Sequence, residues 1–181
     1  MTWLRRRTGQ AKAAPPQVAA GRAAATIAAR LTFESVERAY ESGDALRGFS
    51  LDIAPAEVVC LLGPSGSGKT TLLRIASGIE KPTAGRVLIN GYEVAGPVRF
   101  VPPEKRNVGL MFQYFALFPH LSIVDNVAFG LKSLPREEAR REALAALARV
   151  GLQRFAGDYP HILSGGEQQR VALARAILPR P

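Results

Sequence analysis

Eight consecutive residues, Gly63, Pro64, Ser65, Gly66, Ser67, Gly68, Lys69 and Thr70, satisfy every fixed position of the pattern G-x-x-x-x-G-K-[ST]. The chemistry such a loop can do is phosphate binding. Its glycines let the backbone wrap closely around an anion, successive N–H groups turn inward, and a helix beginning within the loop adds roughly half a positive charge. Lys69 is then expected to reach the β and γ phosphates of a nucleoside triphosphate, Thr70 to hold Mg2+ through its hydroxyl, and Thr71 to donate to the α phosphate. ATP is the expected ligand. A second run, Ser164, Gly165, Gly166 and Glu167, places a serine three residues before a glutamate. That is a capping box opening a helix, with two glycines that let something approach the backbone, and so a second anion site.

The loop pattern has force only between a strand and a helix, and both are expected. Residues 56–62 are a near-continuous apolar run ending at Gly63, the pattern of a strand covered on both faces in a parallel sheet. Residues 70–76 follow as a helix that Gly78 stops. Upstream, residues 31–36 alternate apolar and polar as a half-buried strand does, and residues 50–53 form a second short strand. Downstream, residues 85–91 are a strand closing on an Asn-Gly turn, and 107–112 another strand, with Pro97, Pro102 and Pro103 marking loop between them. From Pro135 the pattern turns helical: acids at Glu137 and Glu138 in the first turn, apolar Leu144, Leu147 and Val150 at helical spacing, Gly151 as terminator. A second helix follows Ser164.

Composition removes several classes of function. The net charge of +9 over 181 residues suggests nucleic acid at first, but Arg5, Arg6, Arg7, Lys12, Arg22 and Arg30 all precede the first acid, Glu34, leaving 9 − 6 = +3 for the rest. The basicity belongs mostly to an Ala/Arg/Pro tail, residues 1–29, that is expected to be disordered, and no nucleic-acid partner is expected. No run approaches the roughly 20 apolar residues that cross a bilayer. The tail also lacks the apolar segment of an export signal. The single cysteine, Cys60, sits within the apolar strand and is expected to be a small buried hydrophobe in a reducing cytoplasm.

Taken together, the segment LSGGEQQRVALARA, about 100 residues after GPSGSGKTT, resembles the signature segment of ABC-type ATPases. The resemblance implies a fold: α/β, a P-loop NTPase core with an N-terminal antiparallel β subdomain and a helical signature subdomain at about 114–165, incomplete at the C-terminus, with 30–181 a partial nucleotide-binding domain. It also implies roles. Tyr40, 69 − 40 = 29 residues before Lys69, stands where the family places an aromatic residue that stacks on adenine. Gln113 stands at the Q-loop glutamine, which touches Mg2+ and the attacking water and whose loop senses the membrane subunit. Residues 114–131 are similar to the corresponding segment in importers of iron, polyamines, sulfate and sugars, where the helical subdomain presents a groove to a coupling helix of the permease.

The implied assembly is a head-to-tail dimer on the cytoplasmic face of the inner membrane, peripheral to permease subunits and indirectly served by a solute-binding protein. Each ATP lies between Lys69 of one copy and Ser164, Gly165 and Gly166 of the other. Neither His120 nor His161 matches the family's switch histidine, and both are expected to be structural. The resemblance covers residues 31–181, about two thirds of a usual family domain. The Asp and Glu of the strand after the signature helix, the D-loop and the switch histidine are not in this sequence. The expectation is therefore an intact parent that hydrolyses ATP and a chain that, as given, binds without hydrolysing and is marginally stable. Alternatives are a soluble ABC ATPase acting on ribosomes or DNA, or a non-hydrolysing ATP-binding fragment. The transported solute is not legible.

Overall fold

The computed structural model describes residues 5–7, 28–41 and 43–178. Most of the expected tail, 1–29, therefore lies outside the described residues. Within it, β1 (Arg5–Arg7) pairs antiparallel with β4 (Val59–Leu61). The chain divides into two compact units, Met1–Arg106 and Asn107–Pro181.

The first unit is built on a four-stranded antiparallel sheet in the order β3-β2-β5-β6, from β2 (Leu31–Tyr40), β3 (Gly43–Ile53), β5 (Ala84–Ile89) and β6 (Tyr92–Ala95). The alternation expected over 31–36 is interrupted by a bulge at Ser35, where φ is 46°. The bulge resets the pleat, so Phe33 and Val36, three residues apart, both face the core. Gly85 makes room for it: at φ 75°, a Cβ there would stand 2.2 Å from the Ser35 carbonyl oxygen. The Asn90-Gly91 turn forms as read, with both residues at positive φ and Ile89 facing Tyr92 across it.

Helix α1 (Lys69–Ser77) ends at Gly78, whose left-handed φ of 85° lets its N–H and that of Ile79 cap the last carbonyls. Leu72, Ile75 and Ala76 of α1 pack with Phe33, Val36, Leu46, Phe49 and Val87 in one core, where Phe33 meets Phe49 edge to face at 5.8 Å. Burying Leu72 and Ile75 completely is worth about 1.5–3 kcal/mol each. This is what fastens the phosphate loop to the sheet.

In the second unit α2 (Ile123–Ala128), α3 (Arg136–Arg149) and α4 (Gly165–Ile177) share a core of Ile123, Val124, Val127, Ala143, Leu147, Leu152 and Val171. The six-residue α2 is too short to stand on propensity alone. Ser122 caps it, and the fully buried Asn126 ties the preceding loop down by accepting from the Phe118 N–H and donating to the carbonyls of Phe118, Leu121 and Ser122. The core face of α3 is drawn mainly by Ala139, Ala143, Ala146 and Leu147, while Leu144 and Val150 are only partly buried. Small side chains let helices approach, and hydrophobicity alone underweights them.

Three expectations need correction. Residues 107–112 form no strand: Asn107 is at φ 52°, and Val108, Met111 and Phe112 are exposed without a ladder partner among the described residues. Strand β4 is shorter than residues 56–62 and is not covered on both faces, for Val58 is 76% exposed, and Cys60 is exposed rather than buried. An apolar run becomes a buried strand only where other elements cover it, and β4 has the three residues of β1 as its only strand partner among the described residues.

Candidate functional site

The phosphate loop leaves β4 at Leu61 and enters α1 at Lys69. Gly66 and Gly68 sit at φ 79° and 85°, where a side chain is strained. Gly68 is doubly constrained, because a Cβ would also stand 2.4 Å from the Ala45 carbonyl oxygen of β3. The start of α1 has no side-chain cap, so its first-turn N–H groups face the loop unclaimed by any serine or aspartate. Lys69 folds back over the loop, its Nζ donating to the carbonyls of Gly63 and Pro64, both at 2.8 Å, and to Ser67 Oγ at 3.2 Å. An ammonium ringed by three oxygens, above an uncapped helix start, is what an incoming phosphate needs: the phosphate oxygens can replace the carbonyls and collect the free N–H groups. Thr70 is exposed beside it, and Thr71 is half-buried.

The other end of α1 is held by Arg106, which sequence reasoning did not single out. Its buried guanidinium donates to the carbonyls of Ile75 at 2.6 Å and Ala76 at 3.0 Å, to Val94 at 2.8 Å, and through Nε to Val101 at 2.7 Å. No carboxylate pairs with it among the described residues, and burial pulls its pKa down to about 10. The carbonyl end of the helix is the counter-charge. Nothing in the local sequence announces this, because the acceptors are main-chain atoms, and those of Ile75, Ala76 and Val94 come from 12 to 31 positions away.

Tyr40 ends β2 and pairs with Gly43; Ala45, two residues on, is the residue whose carbonyl touches Gly68. The hairpin end therefore lies beside the phosphate loop. The Tyr40 hydroxyl donates to Glu80 Oε1, which also accepts from Arg38 Nε at 2.7 Å, and the Arg38 guanidinium covers the ring at 4.6 Å from its centroid. Arg38 and Glu80 thus hold the partly exposed ring in place, and neither was expected.

Gln113 and the Ser164–Glu167 start both belong to the second unit, whereas Thr70 belongs to the first. Ser164 caps α4: its Oγ accepts from the Glu167 N–H at 3.4 Å, while Glu167 Oε2 accepts from the Ser164 N–H at 2.9 Å and from its hydroxyl at 2.7 Å. The Ser164 hydroxyl, followed by its N–H, holds the Glu167 carboxyl below the usual carboxylate range. Gly165 and Gly166 are exposed, with open space where side chains would stand. Gln113 is exposed too. His120 and His161 are exposed and rest against Phe118 and Tyr159, outside both helix starts.

A glycine-lined loop feeding an uncapped helix, with a lysine bent over it, defines a phosphate-binding protein of the P-loop class. The particular family follows from comparison: residues 46–181 match the ABC transporter family, and the chain belongs to it. It is 49% identical over 161 residues to the spermidine/putrescine import ATP-binding protein PotA of Methylococcus capsulatus, covering 88% of this chain and 41% of that protein. It is 46% identical over 153 residues both to a putative 2-aminoethylphosphonate import ATP-binding protein of Salmonella typhimurium and to an Fe(3+) ions import ATP-binding protein of Rhizobium etli, covering 83% of this chain and 40% and 42% of theirs. The chain thus spans about two fifths of the length of the curated relatives it matches. Among solved structures it is similar to a dimeric ATP-binding cassette in a post-hydrolysis state bound to ADP and Pi, with a TM-score of 0.74, 35% identity, and coverage of 83% of this chain and 70% of the other. The α/β P-loop NTPase fold implied by the sequence stands.

Proposed function

We propose that this chain is the nucleotide-binding part of an ABC importer's ATPase subunit. The observation that carries the reading is Lys69, held over an uncapped helix start by two carbonyls and a hydroxyl that phosphate oxygens can replace. In the bound state Lys69 pairs with the β and γ phosphates, the first-turn N–H groups of α1 receive the same oxygens, and Thr71 donates to the α phosphate. Tyr40, held from one side by Arg38, stacks on the adenine. Mg2+, when bound, neutralises charge on the phosphates. Among the described residues no group of three His, Cys, Asp or Glu is placed to hold a metal, which fits an ion held chiefly by nucleotide and water. Thr70 and Gln113 are the residues that would hold it.

The second half of the site comes from another copy. Ser164, Gly165 and Gly166 of a head-to-tail partner face the γ phosphate, so ATP joins two subunits, and its hydrolysis in the whole protein separates them. Permease subunits take up that motion at the cytoplasmic face of the membrane, and a solute-binding protein delivers the cargo. No helix among the described residues is long and apolar enough to cross a membrane. Relatives at 46–49% identity are named for a polyamine, a phosphonate and an iron ion, three unrelated cargoes, which supports a common engine whose solute is chosen elsewhere.

The test is complementation. Lys69→Ala and Ser164→Ala proteins, neither of which can form an intact site alone whereas a mixed pair forms one, are mixed with ATP and their association is followed by analytical ultracentrifugation. A mixture that dimerises better than either variant supports the head-to-tail clamp. Equal behaviour of mixture and variants overturns it.

A further inference from the structure

Between Gln113 and α2, two adjacent residues with side chains occupy the left-handed region: Phe115 at φ 60° and Ala116 at φ 47°. A Cβ crowds its own carbonyl there, and such a conformation persists only where the surroundings over-determine it. Local bonds make a start, with the Phe115 N–H donating to Phe112 at 3.0 Å and the Ala116 N–H to Tyr114 at 2.6 Å. Both carbonyls then turn to one guanidinium. Arg175 Nη2 donates to Phe115 O and Nη1 to Ala116 O, each at 2.8 Å, and the guanidinium lies 5.4 Å from the Phe118 ring centroid.

Arg175 is rooted in α4, the helix that begins at Ser164, and its neighbours Val171, Ala172 and Ala174 are buried. No carboxylate pairs with it among the described residues, so its fork is directed at the two carbonyls, and burial lowers its pKa from the ordinary arginine value. Two parallel donors suit two adjacent carbonyl oxygens; a lysine ammonium is a single point charge.

We propose that Arg175 is a positioning residue: its fork holds the Phe115–Ala116 turn left-handed and thereby makes the loop that carries Gln113 and the helix that carries Ser164 one mechanical piece. The latch stands on this geometry alone; only the meaning given to Gln113 and Ser164 rests on the ATP-clamp reading. On that reading, contact of nucleotide with Ser164 and movement of Gln113 are linked through Arg175.

The experiment uses the full chain as wild type, Arg175→Ala, Arg175→Lys, and Arg175→Ala combined with Ala116→Gly. Amide hydrogen exchange is followed at residues 112–118 and along α3 and α4. Arg175→Ala should speed exchange at Phe115 and Ala116 about 10-fold or more while α3 is unchanged, since two hydrogen bonds to a charged donor are lost. Arg175→Lys should leave most of that increase. Glycine at position 116 should restore most of the protection, because it holds the positive φ without help. Spin labels at Gln113→Cys and Leu173→Cys, with Cys60→Ser, should show a distance distribution that broadens in Arg175→Ala and narrows again with Ala116→Gly. Unchanged exchange at 115 and 116, or an increase spread along α4 that glycine does not reverse, overturns the proposal. ATP binding is measured on the same wild-type sample: its absence sinks the ATP-clamp reading and leaves the exchange result standing.

Discussion

Helices α1 and α4 both start from a small capping residue, Gly68 and Ser164, yet their starts differ in occupancy. At Gly68 the first turn is uncapped, and a lysine hangs above it; at Ser164 the hydroxyl and N–H are already engaged by the carboxylate of Glu167. The glycines differ in the same sense. Gly68 is locked by its φ and by the Ala45 carbonyl, while Gly165 and Gly166 have open space around them. A phosphate entering the first start displaces carbonyls that lose little by turning to water. One entering the second competes with a resident negative charge. The first start is thus open to an anion, whereas the second is already engaged by Glu167.

The largest expected effect separates the glycines. Gly68→Ala should cost about 3–4 kcal/mol, from a left-handed alanine pressed against backbone, whereas Gly165→Ala should be neutral or stabilise by about 0.5 kcal/mol through helix propensity. Urea midpoints of the two variants measure this, and similar losses would erase the distinction. Next, Lys69→Ala should weaken ATP binding by about 10- to 100-fold, the worth of a charged hydrogen-bonding group. Ser164→Ala should leave binding to a single copy within about twofold, since on the head-to-tail reading Ser164 serves the ATP held by the other copy. Isothermal titration at a protein concentration below dimerisation decides between them.

A smaller effect probes the resident carboxylate. Glu167 has its pKa depressed in the folded chain from the ordinary 4.5, so its stabilisation of the α4 start is complete above that value and is lost as pH falls through the lowered one. The Ser164 amide shift, followed by NMR from about pH 5 to about pH 2, should titrate in wild type and stay flat in Glu167→Gln, which keeps the cap without the charge. The smallest effect lies outside both starts. Ala56 occupies φ 61° in the turn closed by Glu57 N–H and Ala54 O at 3.0 Å, so Ala56→Gly, with the relieved strain partly offset by a freer unfolded chain, should stabilise by no more than about 0.5 kcal/mol without changing ATP affinity. A lower melting temperature would show that the turn is not under strain.

Much of this architecture can be read from residue order. The loop pattern, the stop at Gly78, the Asn90-Gly91 turn and the Ser164 cap each follow from local rules, because the atoms that enforce them lie within a few residues of one another. The misreadings share the opposite property. Residues 107–112 are apolar enough for a strand, but a strand needs a neighbour to pair with. Cys60 is apolar enough to be buried, but burial needs something on top of it. Val36 lies on the face that simple alternation denies it, because a bulge at Ser35 and a glycine on another strand, Gly85, agree to shift the pleat.

From the sequence alone, then, came the chemistry: which residues can wrap a phosphate, where the helices that aim at it begin, and to which family they belong. Tertiary structure decided what holds those residues still. Arg106 grips the far end of α1, Glu80 and Arg38 hold Tyr40, and Arg175 grips the turn after Gln113. In each case a charged side chain finds a partner across at least 30 positions of chain. Local pattern cannot predict such pairs, because the same arginine elsewhere on a helix would simply face water.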